Sequence, residues 1–324
     1  MKRIAVLTSG GDAPGMNACV RAVVKMCLSK GIIPFGIMDG YQGMIEGRII
    51  ELGYSDVDNI IQRGGTILGT ARSKDFMTKE GRVEAIRYLK EYKIDGLVLI
   101  GGDGTFKGAT ILSEELEIAI IGIPGTIDND ISGTDHTIGY DTALNTVVEA
   151  IDKIRDTASS HHRVFFIEVM GRNAGFIALN SALASGAEAV LIPEEITDIS
   201  ELVHQIKNQN QGRRSSIIIV AEGDDGGGAK DIMSKVEPFM DGYDLRCSIL
   251  GHIQRGGSPS AFDRILATRM GAYAVELLEL GKTKLMIGSK GDDLVTHPIL
   301  HGIDHTTAPD LSKLELLKCL LTRS

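Results

Sequence analysis

The sequence contains no tryptophan, few other aromatic residues and no pair of cysteines at CxxC spacing. Its four cysteines are Cys19, Cys27, Cys247 and Cys319, so neither a zinc site nor a disulfide framework is indicated. Free thiols are typical of a reducing cytosol. The first apolar run, Ile4–Leu7, is too short for a signal peptide, and no later run approaches a membrane span. We therefore expect a cytoplasmic protein that does not bind membranes.

The chain also lacks an excess of positive charge. It has 34 Lys and Arg residues and 43 Asp and Glu residues, which gives a formal net charge of −9. Nonspecific nucleic-acid binding requires a basic surface, so nucleic acid is not an expected partner. A protein of this charge that binds phosphates must do so with local cationic pockets. The length of 324 residues predicts about two domains.

Short apolar runs alternate with helical patterns along the chain. The predicted strands are 3–8, 32–37, 96–100, 118–123, 164–169, 189–192 and 216–220, and the predicted helices are 16–30, 80–92, 141–158 and 201–209. Strands that are apolar on both faces are typical of parallel sheets covered by helices. The alternation predicts an α/β fold with two doubly wound, Rossmann-like domains and largely parallel sheets. Ligands bind such sheets at the carboxyl ends of the strands, so we expect the active site in the cleft between the domains.

Two glycine-rich loops follow predicted strands and precede helical patterns. In TSGGDAPGMN, Gly10 and Gly11 would let backbone N–H groups approach a phosphate, although a plain turn has the same composition. In GGDGTF, Asp103 between glycines is suited to Mg²⁺, which keeps waters and takes few protein ligands. The alternative for Asp103 is a helix N-cap. The second motif occurs in several kinase families and indicates phosphoryl transfer in general.

The stretch GIPGTIDND places Asp128 and Asp130 directly after a predicted strand. One carboxylate could accept a proton from an attacking hydroxyl, and the second could raise its proton affinity or help to organise magnesium. The alternative is an Asx-rich turn. Arginines at later strand and loop ends, such as Arg163, Arg172 and Arg246, could bind phosphate oxygens, although each could instead be a surface salt-bridge partner.

Seven stretches together resemble the bacterial ATP-dependent 6-phosphofructokinase family over essentially the whole chain. They are LTSGGDAPGMNA, RGGTILGTAR, IGGDGT, GIPGTIDND, TALNTVVEAIDKIRDTASSHHR, EVMGRNAGFIAL and LGHIQRGGSPSAFDR. As a set they are far more specific than any single glycine loop.

The resemblance implies that ATP, with Mg²⁺, phosphorylates D-fructose 6-phosphate at its 1-hydroxyl, the committed step of glycolysis. It implies that Asp128 is the base and that Asp103 organises the metal. The other implied catalytic residues are Asp130, Thr126 and Arg172, the last as a stabiliser of the transferring phosphoryl group. The residues implied to bind ATP are Gly11, Arg72, Ser73, Gly102, Asp103, Gly104 and Thr105. Those implied to bind fructose 6-phosphate are Thr126, Ile127, Asp128, Arg163, Met170, Gly171, Arg172, Glu222, Arg246, His252, Ile253, Gln254 and Arg255.

The resemblance also implies which domain binds each substrate and which residues act in a neighbouring subunit. An ATP-binding domain is expected from residues 1–139 and about 256–304, and a fructose 6-phosphate-binding domain from residues 140–255 and about 305–324. In this family Arg163 and Arg246 reach the active site of a neighbouring subunit. The active enzyme is therefore expected to be a homotetramer with shared active sites.

Members of the family bind ADP or phosphoenolpyruvate as effectors at a second, basic site. The residues that fit this site are Arg21, Lys25, Arg155, Glu188, Arg213 and Arg214. However, Lys25 stands where arginine is common, Tyr54 where a basic residue is usual, and Gln211 and Ser215 where Lys and His can appear. Because lost cationic or bidentate contacts weaken phosphate binding, we expect an effector site that responds weakly.

Three alternatives remain at this level. An NAD or lipid kinase would share GGDG, but it would not explain GTIDND or HIQRGGSP. A pyrophosphate-dependent phosphofructokinase would resemble GGDD and PKTIDND, whereas Gly104 and Gly125 here are expected to leave room for a nucleotide. A non-catalytic sugar-phosphate sensor would be expected to have lost Asp103 or Asp128, and both are present.

Overall fold

The computed structural model describes residues 1–209, 215–304 and 307–321. The chain divides into two compact units, each assembled from three separate stretches of the sequence. The first unit contains residues 1–127, 131–142 and 255–306, and the second contains residues 128–130, 143–254 and 307–324. The expected assignment of ATP to residues 1–139 and about 256–304, and of the sugar phosphate to the remainder, stays a prediction.

The strands and helices alternate along most of the chain. The strands are β1 Arg3–Thr8, β2 Ile33–Ile37, β3 Ile49–Glu51, β4 Gly96–Gly101, β5 Ala119–Pro124, β6 Arg163–Val169, β7 Ala189–Leu191, β8 Ser216–Ala221, β9 Asp244–Ile249, β10 Leu285–Lys290 and β11 Asp293–Pro298. The helices are α1 Met16–Ser29, α2 Gly40–Glu46, α3 Lys79–Glu91, α4 Asp103–Glu115, α5 Tyr140–His161, α6 Phe176–Ser185, α7 Ile199–Gln209, α8 Ala229–Val236, α9 Ala261–Glu279, α10 His301–Asp304 and α11 Ser312–Leu321.

The sheet of the first unit has the strand order β11-β10-β5-β4-β1-β2-β3. Its inner strands are parallel, and the antiparallel strands β3 and β11 close its two edges. Helices cross between parallel strands, because parallel pairing requires a long connection. The register pairs Thr8 with Ile100 and Gly101 with Pro124, so the loops after β1, β4 and β5 leave the sheet at the same edge.

The second unit contains the parallel sheet β7-β8-β6-β9. Val169 pairs with Ala221, and Glu168 pairs with Ile249. The loops after β6, β8 and β9 therefore also leave from a common edge. Its core is lined by buried residues of these strands together with α7 and α8, including Phe166, Ile218, Leu202 and Ile232.

The α/β class with largely parallel sheets is confirmed, and each predicted strand and helix is present within three residues of its expected bounds. The patterns gave no bounds for the strands β3, β9, β10 and β11 or for the helices α2, α4, α6, α8, α9, α10 and α11. In β9, whose sequence is DLRCSI, polar residues alternate with apolar ones. The three polar residues are half-buried or exposed, so the strand lacks the continuous apolar run by which the other strands were predicted. In α9, buried residues include both Asp263 and the apolar series Leu266, Met270 and Leu277.

Candidate active site

The loops after β1 and β4 are joined by hydrogen bonds in the first unit. The Ser9 N–H donates to the Ile100 carbonyl at 3.0 Å, and Thr105 Oγ1 donates to the Ser9 carbonyl at 3.2 Å. A Cβ at Gly101 would overlap the Ser9 carbonyl, so this close approach requires glycine. The two loops predicted to hold phosphate groups are thus parts of one rigid edge.

Gly11 lies directly beneath the side chain of Arg255. A Cβ at Gly11 would overlap the guanidinium group, and Arg255 Nη1 donates to the Asp12 carbonyl at 3.3 Å. The sequence predicted ATP contact for Gly11 and sugar-phosphate contact for Arg255. The structure places both residues on the same loop surface of the first unit, where a guanidinium group lies within reach of any anion that the loop binds.

Helix α4 begins at Asp103, immediately after Gly102. The N-terminus of a helix favours an anion because its first N–H groups lack partners within the helix. A Cβ at Gly104 would meet nothing within 4 Å, so the surface beside Asp103 is open. The Asp103 carboxylate is half-exposed and lies 3.3 Å from Lys107 Nζ.

A single accessible carboxylate of this kind fits the needs of Mg²⁺ that arrives with a nucleotide. Such a metal keeps several waters and takes one or two protein carboxylates together with phosphate oxygens. The described residues contain no group of three or more His, Cys, Asp or Glu side chains arranged to hold a metal ion by themselves. Asp103 is therefore suited to supporting a nucleotide-borne ion.

Tyr41 is a residue that the sequence analysis missed at this edge. Its buried hydroxyl donates to the Thr105 carbonyl at 2.5 Å, and its ring stacks on Phe76 with centroids 4.1 Å apart. A Cβ at Gly108 would collide with the ring, so α4 packs closely on it. Tyr41 thus fixes the first turn of α4. A lone tyrosine outside any motif gives no signal of such a role.

The other predicted ATP-binding residues lie in the segment before α3. Ser73 Oγ donates to Gln42 Oε1 at 2.7 Å and accepts from the Phe76 N–H at 3.1 Å. The Arg72 side chain is exposed. Ser73 is therefore fixed by Gln42 of α2 and by the turn at Phe76, whereas the Arg72 side chain is exposed to solvent.

The segment after β5 is pinned by residues 137 and 138. Thr137 Oγ1 donates to the Thr126 carbonyl at 2.6 Å, and the Ile138 N–H donates to the Pro124 carbonyl at 3.0 Å. Thr126 is 8% exposed and Ile127 is fully buried. Ile127 is therefore a core residue of this segment, and its expected contact with fructose 6-phosphate stays a prediction.

In the second unit, Asp128 is almost completely buried and faces Arg172. The Asp128 side chain is 1% exposed, and its Oδ2 lies 3.3 Å from Arg172 Nε. Asn129 has a left-handed backbone with φ of 56°, which asparagine tolerates better than most residues. The GTIDND loop therefore buries its first aspartate beside a cation, which a plain solvated Asx turn would not do.

Arg172 has an unusual backbone of its own, with φ of 51°. The Glu222 carboxylate holds this turn, because Oε1 accepts from the Arg172 N–H at 2.8 Å and from the Gly171 N–H at 3.3 Å. A Cβ at Gly223 would overlap the Arg172 carbonyl. Strained backbone that is held by its surroundings is concentrated at functional sites. Glu222 therefore positions Arg172, in addition to any contact that it makes with a sugar.

The HIQR segment contains both exposed and buried residues. His252 and Ile253 are exposed, whereas Gln254 is fully buried. Gln254 Oε1 accepts from the Met170 N–H at 3.1 Å and its Nε2 donates to the Gly251 carbonyl at 3.0 Å. The Gln254 side chain therefore fixes the loop that carries Met170, Gly171 and Arg172. The ligand contact that the resemblance implied for Gln254 stays a prediction.

Arg163 and Arg246 share one partner in the second unit. Asp244 Oδ2 lies 2.7 Å from Arg163 Nε, and Asp244 Oδ1 lies 2.7 Å from Arg246 Nη1. The pairing of β6 with β9 sets Arg163 beside Asp244. One carboxylate therefore holds two exposed or half-exposed guanidinium groups at the edge strand of the sheet.

Four of the six residues that fit an effector site can be described. Lys25 Nζ lies 3.2 Å from Asp58 Oδ1 and 5.9 Å from the centre of the Tyr54 ring. Arg155 Nη1 lies 3.4 Å from Glu188 Oε1, and Glu188 Oε2 accepts from the Ile217 N–H at 2.7 Å. The Arg21 side chain is half-buried on α1. Arg213, Arg214 and Gln211 lie outside the described residues.

A separate groove of ≈ 670 Å³ runs between α7 and α11 over the edge strand β7. Of the predicted site residues it includes Glu188. In the described part of the chain, no helix has the length and apolar character needed to cross a lipid bilayer.

Comparison with known proteins gives consistent matches over nearly the whole chain. The profile of the family described as Phosphofructokinase matches residues 3–278. The chain is 54% identical over 305 residues to ATP-dependent 6-phosphofructokinase 1 of Thermus thermophilus, with 94% of each chain covered. It is 54% identical over 317 residues to the ATP-dependent 6-phosphofructokinase of Bacillus pumilus, with 97% of this chain and 98% of the relative covered.

A solved structure of a phosphofructokinase from Saccharomyces cerevisiae superposes on the chain with a TM-score of 0.86 at 37% identity. The match covers 99% of this chain, which spans 46% of the yeast chain.

Proposed function

Because the chain belongs to the phosphofructokinase family, we propose that it transfers the γ-phosphoryl group of ATP to the 1-hydroxyl of D-fructose 6-phosphate. The products are fructose 1,6-bisphosphate and ADP. The observation that carries the proposal is the buried Asp128 carboxylate, held 3.3 Å from Arg172 in a chain whose curated relatives are named ATP-dependent 6-phosphofructokinases.

Asp128 is suited to be the general base. Its carboxylate would accept the proton of the 1-hydroxyl as the oxygen attacks phosphorus, and its burial keeps water from competing for that role. Arg172 would then exchange part of its contact with Asp128 for the oxygens of the phosphoryl group in flight. Phosphoryl transfer depends mainly on positioning and charge neutralisation, so a cation already placed at the base is effective. Asp130 and Thr126 would support this site.

The first unit supplies the surface for ATP. Gly11, Gly102, Gly104 and Thr105 would bind phosphate oxygens through the joined loops and the N-terminus of α4, with Arg72 and Ser73 beside them. Mg²⁺, when bound with the nucleotide, would neutralise phosphate charge. The half-exposed carboxylate of Asp103 would support the ion.

The two glycines that favour ATP do not act alike. The Cβ direction of Gly104 is open, as expected for a position that leaves room for a nucleotide. A Cβ at Gly125 would instead meet Ile100 Cγ2 at 3.0 Å and the Met16 methyl group at 3.3 Å. The expectation that Gly125 leaves room for a nucleotide therefore finds no support in its surroundings, and we rest the choice of donor on Gly104.

The sugar phosphate would be bound mainly by the second unit. The residues of this unit that would bind it are Met170, Gly171, Arg172, Glu222 and His252. Arg255, which belongs to the first unit, would also bind the sugar phosphate. We propose that Arg163 and Arg246 serve the active site of a neighbouring subunit in a cytoplasmic homotetramer. Their mutual partner Asp244 keeps both guanidinium groups at an edge strand, where a second subunit can approach them.

We propose a weak effector site for ADP or phosphoenolpyruvate. Lys25 is already paired with Asp58 and lies near the Tyr54 ring, so binding a phosphate requires it to give up a partner. Phosphoenolpyruvate added at low fructose 6-phosphate should inhibit weakly, and the variant Lys25→Arg with Tyr54→Arg should be inhibited more strongly. Inhibition of the unmodified chain at a strength typical of the family would show the substitutions to be harmless.

One coupled assay tests the proposed function. Purified protein is given fructose 6-phosphate with either ATP or pyrophosphate, in the presence of Mg²⁺, and formation of the bisphosphate is followed. We expect turnover with ATP and none with pyrophosphate. Turnover with pyrophosphate would identify the pyrophosphate-dependent alternative. Binding of fructose 6-phosphate without turnover would identify a sensor.

A further inference from the structure

Helices α5 and α9 meet at their N-termini in the first unit. Ser260 is the N-cap of α9, and its Oγ accepts from the Asp263 N–H at 3.2 Å. The same hydroxyl donates to Asp141 Oδ2 at 2.5 Å, and the Ser260 N–H donates to Thr142 Oγ1 at 2.9 Å. Each helix therefore uses side chains of the other to satisfy groups in its first turn.

Asp263 is the buried centre of this arrangement. It is fully buried, and its Oδ1 accepts from the Gly139 N–H at 2.9 Å. Its Oδ2 accepts from the Thr142 N–H at 2.8 Å and from Thr142 Oγ1 at 2.5 Å. Burying a carboxylate costs free energy unless it is hydrogen-bonded. The three donors that surround the Asp263 carboxylate offset this cost and hold the carboxylate in one position.

Gly139 connects this centre to the segment that pins β5. Residues 137 and 138, directly before it, hold the carbonyls of Thr126 and Pro124. A Cβ at Gly139, whose φ is 102°, would lie 2.6 Å from Ala13 Cβ, so the segment has little room to shift. Asp263 is therefore linked to Thr126 by a hydrogen bond to Gly139, the backbone of residues 137–139, and the hydrogen bond from Thr137 to the Thr126 carbonyl. Asp128 follows Thr126 by two residues in the chain.

We propose that Asp263 is a positioning residue for phosphoryl transfer: through the Gly139–Thr142 backbone it holds Thr137 and Ile138 against Thr126 and Pro124, and so sets the backbone that leads into Asp128. The proposal rests on the proposed function, because it assigns the constraint to the reaction of Thr126 and Asp128. Asp263 itself contacts no substrate group. It acts by keeping the strand end from relaxing.

The test uses Asp263→Asn, which preserves shape but not acceptor capacity. Since Oδ1 and Oδ2 each accept from a backbone N–H, an amide must turn its NH₂ group towards one of those donors. We expect kcat to fall by ~10–100-fold, as misplacement of reacting groups does, while KM for ATP changes by less than about twofold. Amide hydrogen exchange should become faster in peptides covering residues 124–127 and 137–142.

Thr137→Val is the second variant, and it serves if Asp263→Asn fails to fold. It removes the bond to the Thr126 carbonyl at the far end of the series and leaves both helix caps intact. It should reproduce the loss of kcat. Thr78→Ala is the matched control, because it removes another N-cap of the first unit, where Thr78 Oγ1 accepts from the Gly81 N–H at 3.1 Å. It should leave kcat and exchange in residues 124–142 unchanged.

The outcomes separate this proposal from the proposed function. Unchanged exchange in residues 124–127 in both variants would overturn the positioning role, whatever the activity. Faster exchange with an unchanged kcat would overturn its connection to the reaction. If the unmodified protein does not phosphorylate fructose 6-phosphate, the proposed function fails, and faster exchange in residues 124–127 would still support the physical coupling from Asp263 to this strand end.

Discussion

Asp128 is the residue on which the proposed chemistry depends most directly. Its burial, its contact with Arg172 and the left-handed turn at Asn129 all keep one carboxylate in a fixed place. We predict that Asp128→Ser lowers kcat by at least ~10²-fold, since general-base catalysis contributes about 10²–10⁴-fold. Fructose 6-phosphate should still bind, which equilibrium binding measurements can check.

Asp135→Ser is the control for this prediction. Asp135 lies further along the same connection between β5 and α5, is exposed, and accepts from the Gly291 N–H at 2.8 Å. The substitution makes the same change of charge and size without touching the proposed base, so kcat should stay within about twofold. Near-normal turnover of Asp128→Ser would contradict the assignment of the base.

At the scale of elements, the contact between the N-termini of α5 and α9 has a consequence for pH. Burial, with a smaller contribution from the nearby Asp141, raises the pKa of Asp263 from 3.8 to about 6, although three hydrogen bonds act to lower it. A raised pKa means that the folded state binds a proton which the unfolded state releases. The stability that this proton contributes is fully present below pH 3.8 and is lost as pH rises through about 6.

We therefore predict that the stability of the unmodified chain, relative to Asp263→Asn, falls as pH is raised from 4.5 to 7.5. The shift corresponds to at most about 3 kcal/mol. Guanidinium unfolding of both proteins at one chain concentration measures the difference. A relative stability that instead increases with pH would mean that the hydrogen bonds outweigh burial and that the pKa of Asp263 is lowered.

At the scale of the whole molecule, the proposed homotetramer makes Arg246 a residue of the neighbouring site. Arg246→Ala and Asp128→Ser should each be nearly inactive alone. When the two are co-expressed, hybrid sites with an intact base from one subunit and an intact Arg246 from another should restore up to about a quarter of the activity, if subunits mix at random.

The control for this mixing experiment pairs Asp128→Ser with Arg172→Ala. These two residues contact each other within one chain, so no exchange of subunits can rebuild a complete site. Activity should not return. If activity does not return with Arg246→Ala, then Arg246 acts in its own subunit. Recovery in the control would instead show that Asp128 and Arg172 act from different subunits.

Many of the structural features of this protein can be predicted from local sequence patterns. Apolar strand runs such as RIAVLT and SIIIV follow from burial on both faces, and the glycine-rich loops follow from where those strands end. The motifs around Asp103 and Asp128 are continuous in sequence, so their residue types and spacing indicate phosphoryl transfer before any contact is known. The α/β class and the family could therefore be predicted from the sequence.

Only the tertiary structure decided which side chains hold those motifs in place. Tyr41 supports Thr105 from 64 residues away, Asp263 reaches Gly139 from 124 residues away, and Gln254 supports Met170 from 84 residues away. Glu222 likewise supports the Arg172 turn. The physical reason is that a hydrogen bond between residues far apart in the chain leaves no periodic pattern in the sequence. Strand pairing and helix packing bring the two residues together, and their burial then requires that they form the hydrogen bond.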